Sequence, residues 1–230
     1  MLEELKREVC DVNIALRDKG LAIMTWGNAS AIDHERQLVV IKPSGVPYDE
    51  MQENDMVVVD LGGNIVEGKW KPSSDTITHL LLYREFGGIG GVVHTHAEWS
   101  SSWAQAGRDI PVYGTTHADY FYGEVPCTRP LSEAETAENY ELNTGRVIVE
   151  RFEGIDPLQV PGVLVHAHAP FTWGRNVRQA LEGALVLEEI AKMAFRTEVL
   201  GNRYSVGRHL LDIHYLRKHG RGAYYGQKKK

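Results

Sequence analysis

The stretch GGVVHTHAEWS, residues 90–100, carries an apolar run directly into two histidines, His94 and His96. Successive side chains of a β-strand point to opposite faces, so residues i and i+2 share one face. Both imidazoles are therefore expected on the same side of a strand end. A later stretch, GVLVHAH, repeats the pattern with His166 and His168. The two pairs could lie side by side in one sheet.

Imidazole is a common zinc ligand, and a catalytic zinc site takes three protein ligands and leaves one position open. The spacing alone leaves open which of the four histidines is spare. It also leaves open that both pairs are polar residues at strand ends that hydrogen-bond to loops. Asp75 is a candidate oxygen ligand, or an acid that orients a histidine. Its alternative role is to cap the start of a helix.

Length and composition describe one ordinary globular domain. At 230 residues the chain can bury a full core, and its net charge of −6 argues against a general nucleic-acid binder. The two cysteines, Cys10 and Cys127, form no CxxC motif, which argues against a cysteine zinc site or a disulfide framework. The charged N-terminus does not resemble a signal peptide, and no apolar run approaches the ~18 residues of a membrane span. We therefore expect a cytoplasmic protein that does not bind membranes.

The hydrophobic pattern predicts an α/β fold over residues 1–230, with a central, mostly antiparallel sheet flanked by helices. Helices are predicted near residues 2–20, 73–86, 98–105, 177–200 and 204–219, and from Ser132 toward Asn143 behind the capping box SEAE. Strands are predicted at LVVIK (38–42), MVVVD (56–60), IPVYG (110–114), RVIVERF (146–152) and GVLVHAH (162–168).

Three loops share small and polar residues: TWGN (25–28), KPSG (42–45) and KPSSD (71–75). Lys42 supplies a cation, and the prolines stiffen the loops. Ser73 and Ser74 lie at a predicted helix start, where free backbone N–H groups favour an anion. Singly these segments are typical turns. Together, beside a predicted metal site, they favour a phosphorylated substrate.

The segments TWGNAS, IKPSG, KPSSDT, VVHTH, TTHADYFYG, GVLVHAHAPFTWG and HYLRKHGRGAYYGQ together resemble the class II aldolase/adducin family. The similarity runs from the first helix to Gln227. The THADYFYG segment and the HYLRKHG tail are typical of the epimerase branch of that family. The resemblance implies a class II aldolase-like fold.

The implied activity is a zinc-dependent epimerisation that interconverts L-ribulose 5-phosphate and D-xylulose 5-phosphate. C4 is not adjacent to the C2 carbonyl, so direct deprotonation there is difficult. Cleaving C3–C4 and rejoining the bond avoids this difficulty. Zinc would stabilise the enediolate of dihydroxyacetone as a Lewis acid, while glycolaldehyde phosphate rotates before the bond reforms. The conversion serves arabinose or ascorbate breakdown, and the sequence does not separate the two.

The resemblance also implies roles for individual residues. One zinc ion per subunit would be held by His94, His96 and His168, with Asp75 as a further candidate and His166 as the spare; manganese or cobalt could replace zinc. Asp119 and Tyr225 fall on the acid/base positions. Substrate-binding positions map to Gly27, Asn28, Lys42, Ser44, Gly45, Ser73, Ser74, His214 and Arg217.

The family further implies a homo-tetramer with fourfold symmetry and sites between subunits. Asp119 and the tail, about residues 220–230, would then complete a neighbour's site. The final Lys228–Lys230 is interpreted as a solvated end. Two alternatives remain: an aldolase that releases its fragments, with the phosphate on the dihydroxyacetone side, and a non-catalytic adducin-like module that has lost the metal.

Overall fold

The structure is a computed structural model that describes residues 2–201 and 204–226. Gln227 and the predicted solvated end, Lys228–Lys230, lie outside the described residues. The helices are α1 (Glu3–Asp18), α2 (Thr76–Glu85), α3 (Glu98–Gln105), α4 (Thr115–Ala118), α5 (Glu133–Ala137), α6 (Tyr140–Arg151), α7 (Val177–Val199) and α8 (Arg208–His219). The strands are β1 (Asn28–Asp33), β2 (Leu38–Ile41), β3 (Val57–Asp60), β4 (Ile65–Glu67), β5 (Gly91–His94), β6 (Gly162–Leu164) and β7 (Pro170–Gly174).

These seven strands form one sheet in the order β4-β3-β2-β1-β5-β7-β6. Every neighbouring pair is antiparallel. The predicted α/β fold with a central antiparallel sheet is thereby confirmed as a single-domain architecture. The strands β1 and β7, which flank β5 at the centre of the sheet, were not predicted from the sequence.

Both faces of the sheet are buried under helices, which explains why β2 and β3 are continuous apolar runs. Val39 and Ile41 enter one core with α2, α3 and α6, whereas Val40 points to the other core with α1. Alternation therefore distributes apolar residues to two cores, so an inside/outside pattern is not expected. The sheet forms the middle layer, with helices packed on each side.

The longest helix described, α7, contributes to both cores. Ala180 and Ala184 pack with the α1 side, and Leu187 and Ile190 pack with the other. None of the helices in the described part of the chain combines the length and apolar character needed to cross a bilayer.

The prediction of a strand at RVIVERF is wrong, because this segment is the second half of α6. Thr144, Val147 and Ile148 are buried at helical spacing. Gly145 lets α6 approach α2 closely, since a Cβ there would lie 2.8 Å from Leu81 Cδ2. Packing against α2 outweighs the β propensity of the Val-Ile-Val run.

Three other boundaries also differ from the prediction. IPVYG forms only the isolated bridge between Ile110 and Val125, because Pro111 has no N–H to continue a ladder. The predicted capping box at Ser132 is present, but its helix ends at Ala137 and does not reach Asn143. The β6 strand ends before the second histidine pair, so that pair lies in a turn.

The pairing of β1, β5 and β7 brings three chain segments together at one end of the central strands. Asn28 of β1 is opposite His94 of β5, and His94 is opposite Phe171 of β7. Gly27 precedes β1 with φ +81°, and a Cβ there would lie 2.8 Å from the His94 carbonyl oxygen. Only glycine fits such an approach without displacement. The candidate site lies at this end of the central strands.

Candidate metal centre and its cavity

Three histidines lie close together at this end of the central strands. The Nδ1 of His94 lies 2.9 Å from the carbonyl oxygen of Pro170. A carbonyl can only accept, so Nδ1 carries the proton and Nε2 presents its lone pair. His96 lies just beyond β5, and its Nε2 is 3.1 Å from that of His94. With His168, the three rings offer ligand atoms that all lie within 4.8 Å of one another.

The protonation of these rings suits a divalent metal ion. Burial lowers the pKa of His168 to about 4, and burial also lowers the pKa of His96; neighbouring imidazoles act in the same direction. Both rings are therefore neutral at pH 7, which is the form that binds metal. Three imidazoles beside an open cavity match the donor set of catalytic zinc sites. The residues present thus fit zinc or a related divalent ion.

A turn, and not strand alternation, separates the second pair of histidines. The N–H of His168 donates to the Val165 carbonyl at 3.0 Å, and Ala167 within this turn has φ +56°. Non-glycine residues seldom adopt this conformation. The turn directs His168 toward the histidine cluster. The ring of His166 lies instead against Gly107, where a Cβ would be 2.5 Å from the ring.

Asp75 lies beside the cluster as an anion. It occupies the residue before α2, but its carboxylate makes no capping hydrogen bond. It accepts instead from Asn28 Nδ2 at 2.6 Å. Burial raises the pKa of Asp75, but electrostatic interactions with His94 and His79 and the Asn28 hydrogen bond lower it to a net value below its usual range. The capping alternative therefore does not describe this side chain.

A cavity of about 610 Å³ opens beside the histidines. Its lining includes all of the residues predicted in the three small-residue loops: Gly27, Asn28, Lys42, Ser44, Gly45, Ser73 and Ser74. Two of the loops are tied to each other. The N–H of Ser44 donates to the Lys71 carbonyl at 2.9 Å, and that of Ser73 donates to the Lys42 carbonyl at 3.0 Å. These bonds hold the two loops around one end of the cavity.

Lys42 is a buried cation at that end. Its Nζ lies 3.4 Å from the Pro43 carbonyl and 4.9 Å from the centre of the Tyr48 ring. No carboxylate pairs with it in the part of the chain that the structure describes. Burial lowers the pKa of Lys42 to about 8, so the group is still mostly charged at pH 7. A buried charge without a partner is costly, and an anionic ligand would offset that cost.

Several residues of the cavity wall were not predicted from the sequence. Trp26, Tyr140 and Glu141 line it, and Tyr140 Oη lies 3.4 Å from His168 Nδ1. Tyr140 begins α6 after Asn139, which has φ +55°. The sequence predicted one continuous helix from Ser132 toward Asn143, so Tyr140 and Glu141 were not recognised as the start of a new helix beside the cavity. The αL tendency of asparagine was the signal that could have located the break.

A second cluster surrounds Asp119, at the end of α4. His214 Nδ1 lies 3.0 Å from Asp119 Oδ1, and Arg217 Nη2 donates to both carboxylate oxygens at 3.0 Å. Lys218 Nζ is 3.5 Å from Oδ2. Burial raises the pKa of Asp119, but hydrogen bonds from Arg217 and His214 lower it on balance. The cations of Arg217 and Lys218 also lie 4.9 Å and 4.6 Å from the Tyr225 ring centre.

The two clusters are separate within one chain. None of Asp119, His214, Arg217 and Tyr225 lines the cavity beside the histidines. His214 and Arg217, predicted to assist at a phosphate, contact Asp119 here. The predicted acid/base residues, Asp119 and Tyr225, both contact Arg217 and Lys218. They do not line the candidate metal centre of the same chain.

Comparison with protein families gives a match over residues 7–195, to the family described as Class II Aldolase and Adducin N-terminal domain. The chain belongs to the class II aldolase/adducin family. The family resemblance found in the sequence is therefore confirmed. A relative in Salmonella paratyphi B (strain ATCC BAA-1250 / SPB7), L-ribulose-5-phosphate 4-epimerase UlaF, is 52% identical over 228 residues. That alignment covers 99% of this chain and 100% of the relative.

Solved structures of the family share the fold. An L-fuculose 1-phosphate aldolase superposes with a TM-score of 0.79 at 24% identity, covering 92% of this chain and 94% of that one. The L-fuculose-1-phosphate aldolase from Thermus thermophilus has a TM-score of 0.69 at 21% identity, covering 88% of this chain and 100% of that one. At such identities the similarity concerns the class II aldolase fold alone.

Proposed function

We propose that this protein is an L-ribulose-5-phosphate 4-epimerase that interconverts L-ribulose 5-phosphate and D-xylulose 5-phosphate. The observation that carries the proposal is the three-histidine cluster beside a cavity that is also lined by Lys42, a cation with no carboxylate partner among the described residues. A phosphorylated ketose offers both groups that this arrangement lacks, namely oxygen ligands and an anion. Full-length similarity to the Salmonella epimerase supports the choice of substrate.

In this proposal His94, His96 and His168 hold one divalent ion, for which zinc is the first candidate. When bound, such an ion supplies a Lewis acid that stabilises negative charge on the ketose oxygens. Asp75 lines the same cavity and already bonds Asn28, so it can stay with Asn28 or turn toward the ion.

The loop residues bind the 5-phosphate. Lys42 gives the charge, and the backbone N–H groups and hydroxyls around Ser44, Gly45, Ser73 and Ser74 give donors. When C3–C4 breaks, these contacts retain glycolaldehyde phosphate by its phosphate. The aldehyde can then turn and present its other face before the bond reforms. This anchoring distinguishes an epimerase from an aldolase that releases its products.

Epimerisation at C4 also needs a proton acceptor on one side of the aldehyde and a donor on the other. Asp119 and Tyr225 are proposed for these roles. With its pKa below the usual range, Asp119 is a carboxylate at neutral pH and can accept a proton. Since neither residue lines the cavity of its own chain, we propose a homo-oligomer, with fourfold symmetry as the first candidate, that brings Asp119 to a neighbour's metal centre.

The test is an assay of the purified protein with L-ribulose 5-phosphate, with and without a metal chelator. We expect D-xylulose 5-phosphate to form, and its formation to stop when the chelator removes the ion. No conversion, together with free aldehyde released from a 1-phosphorylated ketose, would instead establish the aldolase alternative. An intact fold that binds no divalent ion would favour the non-catalytic module.

A further inference from the structure

A ladder of buried polar side chains connects α2 to β1 beneath the metal centre. Asp75, His79 and Tyr83 recur at four-residue steps and so share one face of the helix. Asn28 and Ser30 share one face of the strand. Asn28 Nδ2 donates to Asp75 at 2.6 Å, and Ser30 Oγ lies 2.7 Å from His79 Nδ1 and 2.8 Å from Tyr83 Oη. His79 and Ser30 are fully buried.

The hydrogen bonds of the ladder favour one tautomer of His79. Tyr83 is a buried phenol whose pKa is raised by burial, so it keeps its proton, and Ser30 Oγ is its side-chain partner. If Tyr83 donates to Ser30, then Ser30 is free to donate its single hydrogen to His79 Nδ1. The opposite direction would leave the Tyr83 hydroxyl without an acceptor, at a cost of about 1–3 kcal/mol. In this arrangement both hydroxyl hydrogens are paired, Nδ1 accepts, and the proton of the neutral ring lies on Nε2.

That Nε2–H is a buried donor with no hydrogen-bond partner among the protein atoms described. The buried Asn28 Oδ1 is likewise an acceptor without such a partner. His79 Nε2 belongs to the Ser30–His79 rung of the ladder and Asn28 Oδ1 to the neighbouring Asn28–Asp75 rung. Asp75 is the anion whose charge acts on the His79 ring. The free donor and the free acceptor thus belong to adjacent rungs, one of which carries the carboxylate of the metal-centre cavity.

We propose that His79 is a positioning residue for Asp75: its Nε2–H holds the Asn28–Asp75 pair in place through one water molecule, and thereby sets the affinity of the metal centre. This inference rests on the metal site of the proposed function. Because Asn28 bonds Asp75 Oδ2, the other oxygen, Oδ1, would be available to a bound ion. If substrate took the place of Asp75 on a bound ion, Asn28 and the water-linked His79 would still hold the carboxylate in the cavity.

Two substitutions separate the functions of the two ring nitrogens. In His79→Gln the amide reaches the position of Nε2, whereas in His79→Asn it reaches only that of Nδ1. We expect His79→Asn to keep the Ser30 contact and to weaken the binding of Zn²⁺ alone by about 10–100-fold, measured by competition with a chelator. His79→Gln should bind Zn²⁺ close to the wild-type affinity. Equal affinities in the two variants would overturn the proposal.

A double-mutant cycle with Asp75→Asn tests whether His79 acts through Asp75. If it does, His79→Asn should weaken Zn²⁺ binding much less in the Asp75→Asn background than in the wild type. The visible spectrum of bound Co²⁺ should also change in His79→Asn and not in His79→Gln, because it reports the ligand geometry. If His79→Asn weakened Zn²⁺ binding equally in both backgrounds, His79 would only support the fold.

These measurements use metal binding alone, so they remain informative if the enzyme proposal fails. A wild-type protein that binds zinc but does not convert L-ribulose 5-phosphate would refute the function and leave the His79 inference standing. Thermal unfolding of the metal-free variants serves as the matched control. A loss of stability equal in both variants, with equal loss of zinc, would indicate a purely structural role and overturn the inference.

Discussion

The cavity beside the three histidines and the cluster around Asp119 differ in how their charges are balanced. At the cavity, the cation of Lys42 makes no ion pair with a carboxylate among the described residues, and the carboxylate of Asp75 is bonded to the neutral amide of Asn28. At Asp119, one carboxylate is already neutralised by Arg217, with His214 and Lys218 alongside. The first region is built to receive a ligand. The second is satisfied as it stands.

The difference shows why the two regions are expected to fail in different ways. A substitution in the cavity removes a group that binds metal or phosphate, so binding itself should be lost. A substitution at Asp119 leaves the cavity of the same chain untouched, because the two do not share lining residues. It should therefore affect the chemical step and spare binding.

The largest effect is expected for the histidine turn. His168→Ala removes one of three ligands, so both bound metal and epimerisation should fall by at least about 100-fold. His166→Ala is the matched control in the same turn, and it should keep most of the metal because its ring lies against Gly107. Metal content per subunit measures both. Loss of metal in His166→Ala with retention in His168→Ala would show that the ligand assignment is wrong.

Asp119→Asn should lower kcat by about 10²–10⁴-fold while zinc content stays near that of the wild type. The amide keeps the size of the side chain and can still bond to one cation, but it cannot accept the proton. Zinc analysis and steady-state kinetics on the same preparation separate the two effects. Parallel loss of zinc would argue that Asp119 maintains the fold, and the contrast between the regions would fail.

A smaller and pH-dependent effect is expected from Lys42. Its pKa of about 8 means that the cation is present below that pH and lost above it. The kcat/KM of the wild type should therefore fall above about pH 8, approaching tenfold per pH unit, since this ratio reports the free enzyme. Lys42→Gln should have a lower kcat/KM that lacks this decline. An identical decline in the variant would assign the titration to another group.

The smallest effect is expected at Ala167. Its left-handed backbone costs about 1 kcal/mol relative to glycine, so Ala167→Gly should raise the unfolding midpoint by about 2 °C and leave zinc affinity unchanged. The β-branched substitution Ala167→Val should lower both the unfolding midpoint and the zinc affinity, because the turn that positions His168 would be strained. Thermal unfolding with zinc titration checks the pair. Zinc binding by Ala167→Val at wild-type affinity would show that the turn does not aim the ligand.

Much of the fold followed from local pattern. The runs at β2 and β3 and the helical spacing of α1, α2 and α7 reflect burial on fixed faces, and each element is present as predicted. The strand predicted at 146–152 was wrong because its apolar residues also fit a helix face, and only contact with α2 decides between the two. β1, with its Asn-Ala-Ser-Ala sequence, has no strand signal of its own. It is buried by pairing with β2 and β5.

For the site, the sequence identified the three histidines and the small-residue loops, and the structure brings them to one cavity. Their roles as ligands and phosphate contacts remain predictions. Which member of the second histidine pair faces the cluster depends on the left-handed turn at Ala167, which no residue type announced. Tyr140 and His79 were missed because an aromatic or a histidine on a helix face is as typical of a core as of a site.

The proposed active site joins the two regions across subunits, and mixed oligomers provide the test of this arrangement. His94→Ala and Asp119→Asn chains, each inactive alone, would be unfolded together in equal amounts, reassembled and assayed for D-xylulose 5-phosphate formation. Sites that combine an intact cavity of one chain with Asp119 of the other should return about one quarter of the wild-type activity. No activity in the reassembled mixture, with oligomers formed and zinc bound, would contradict a site shared between subunits.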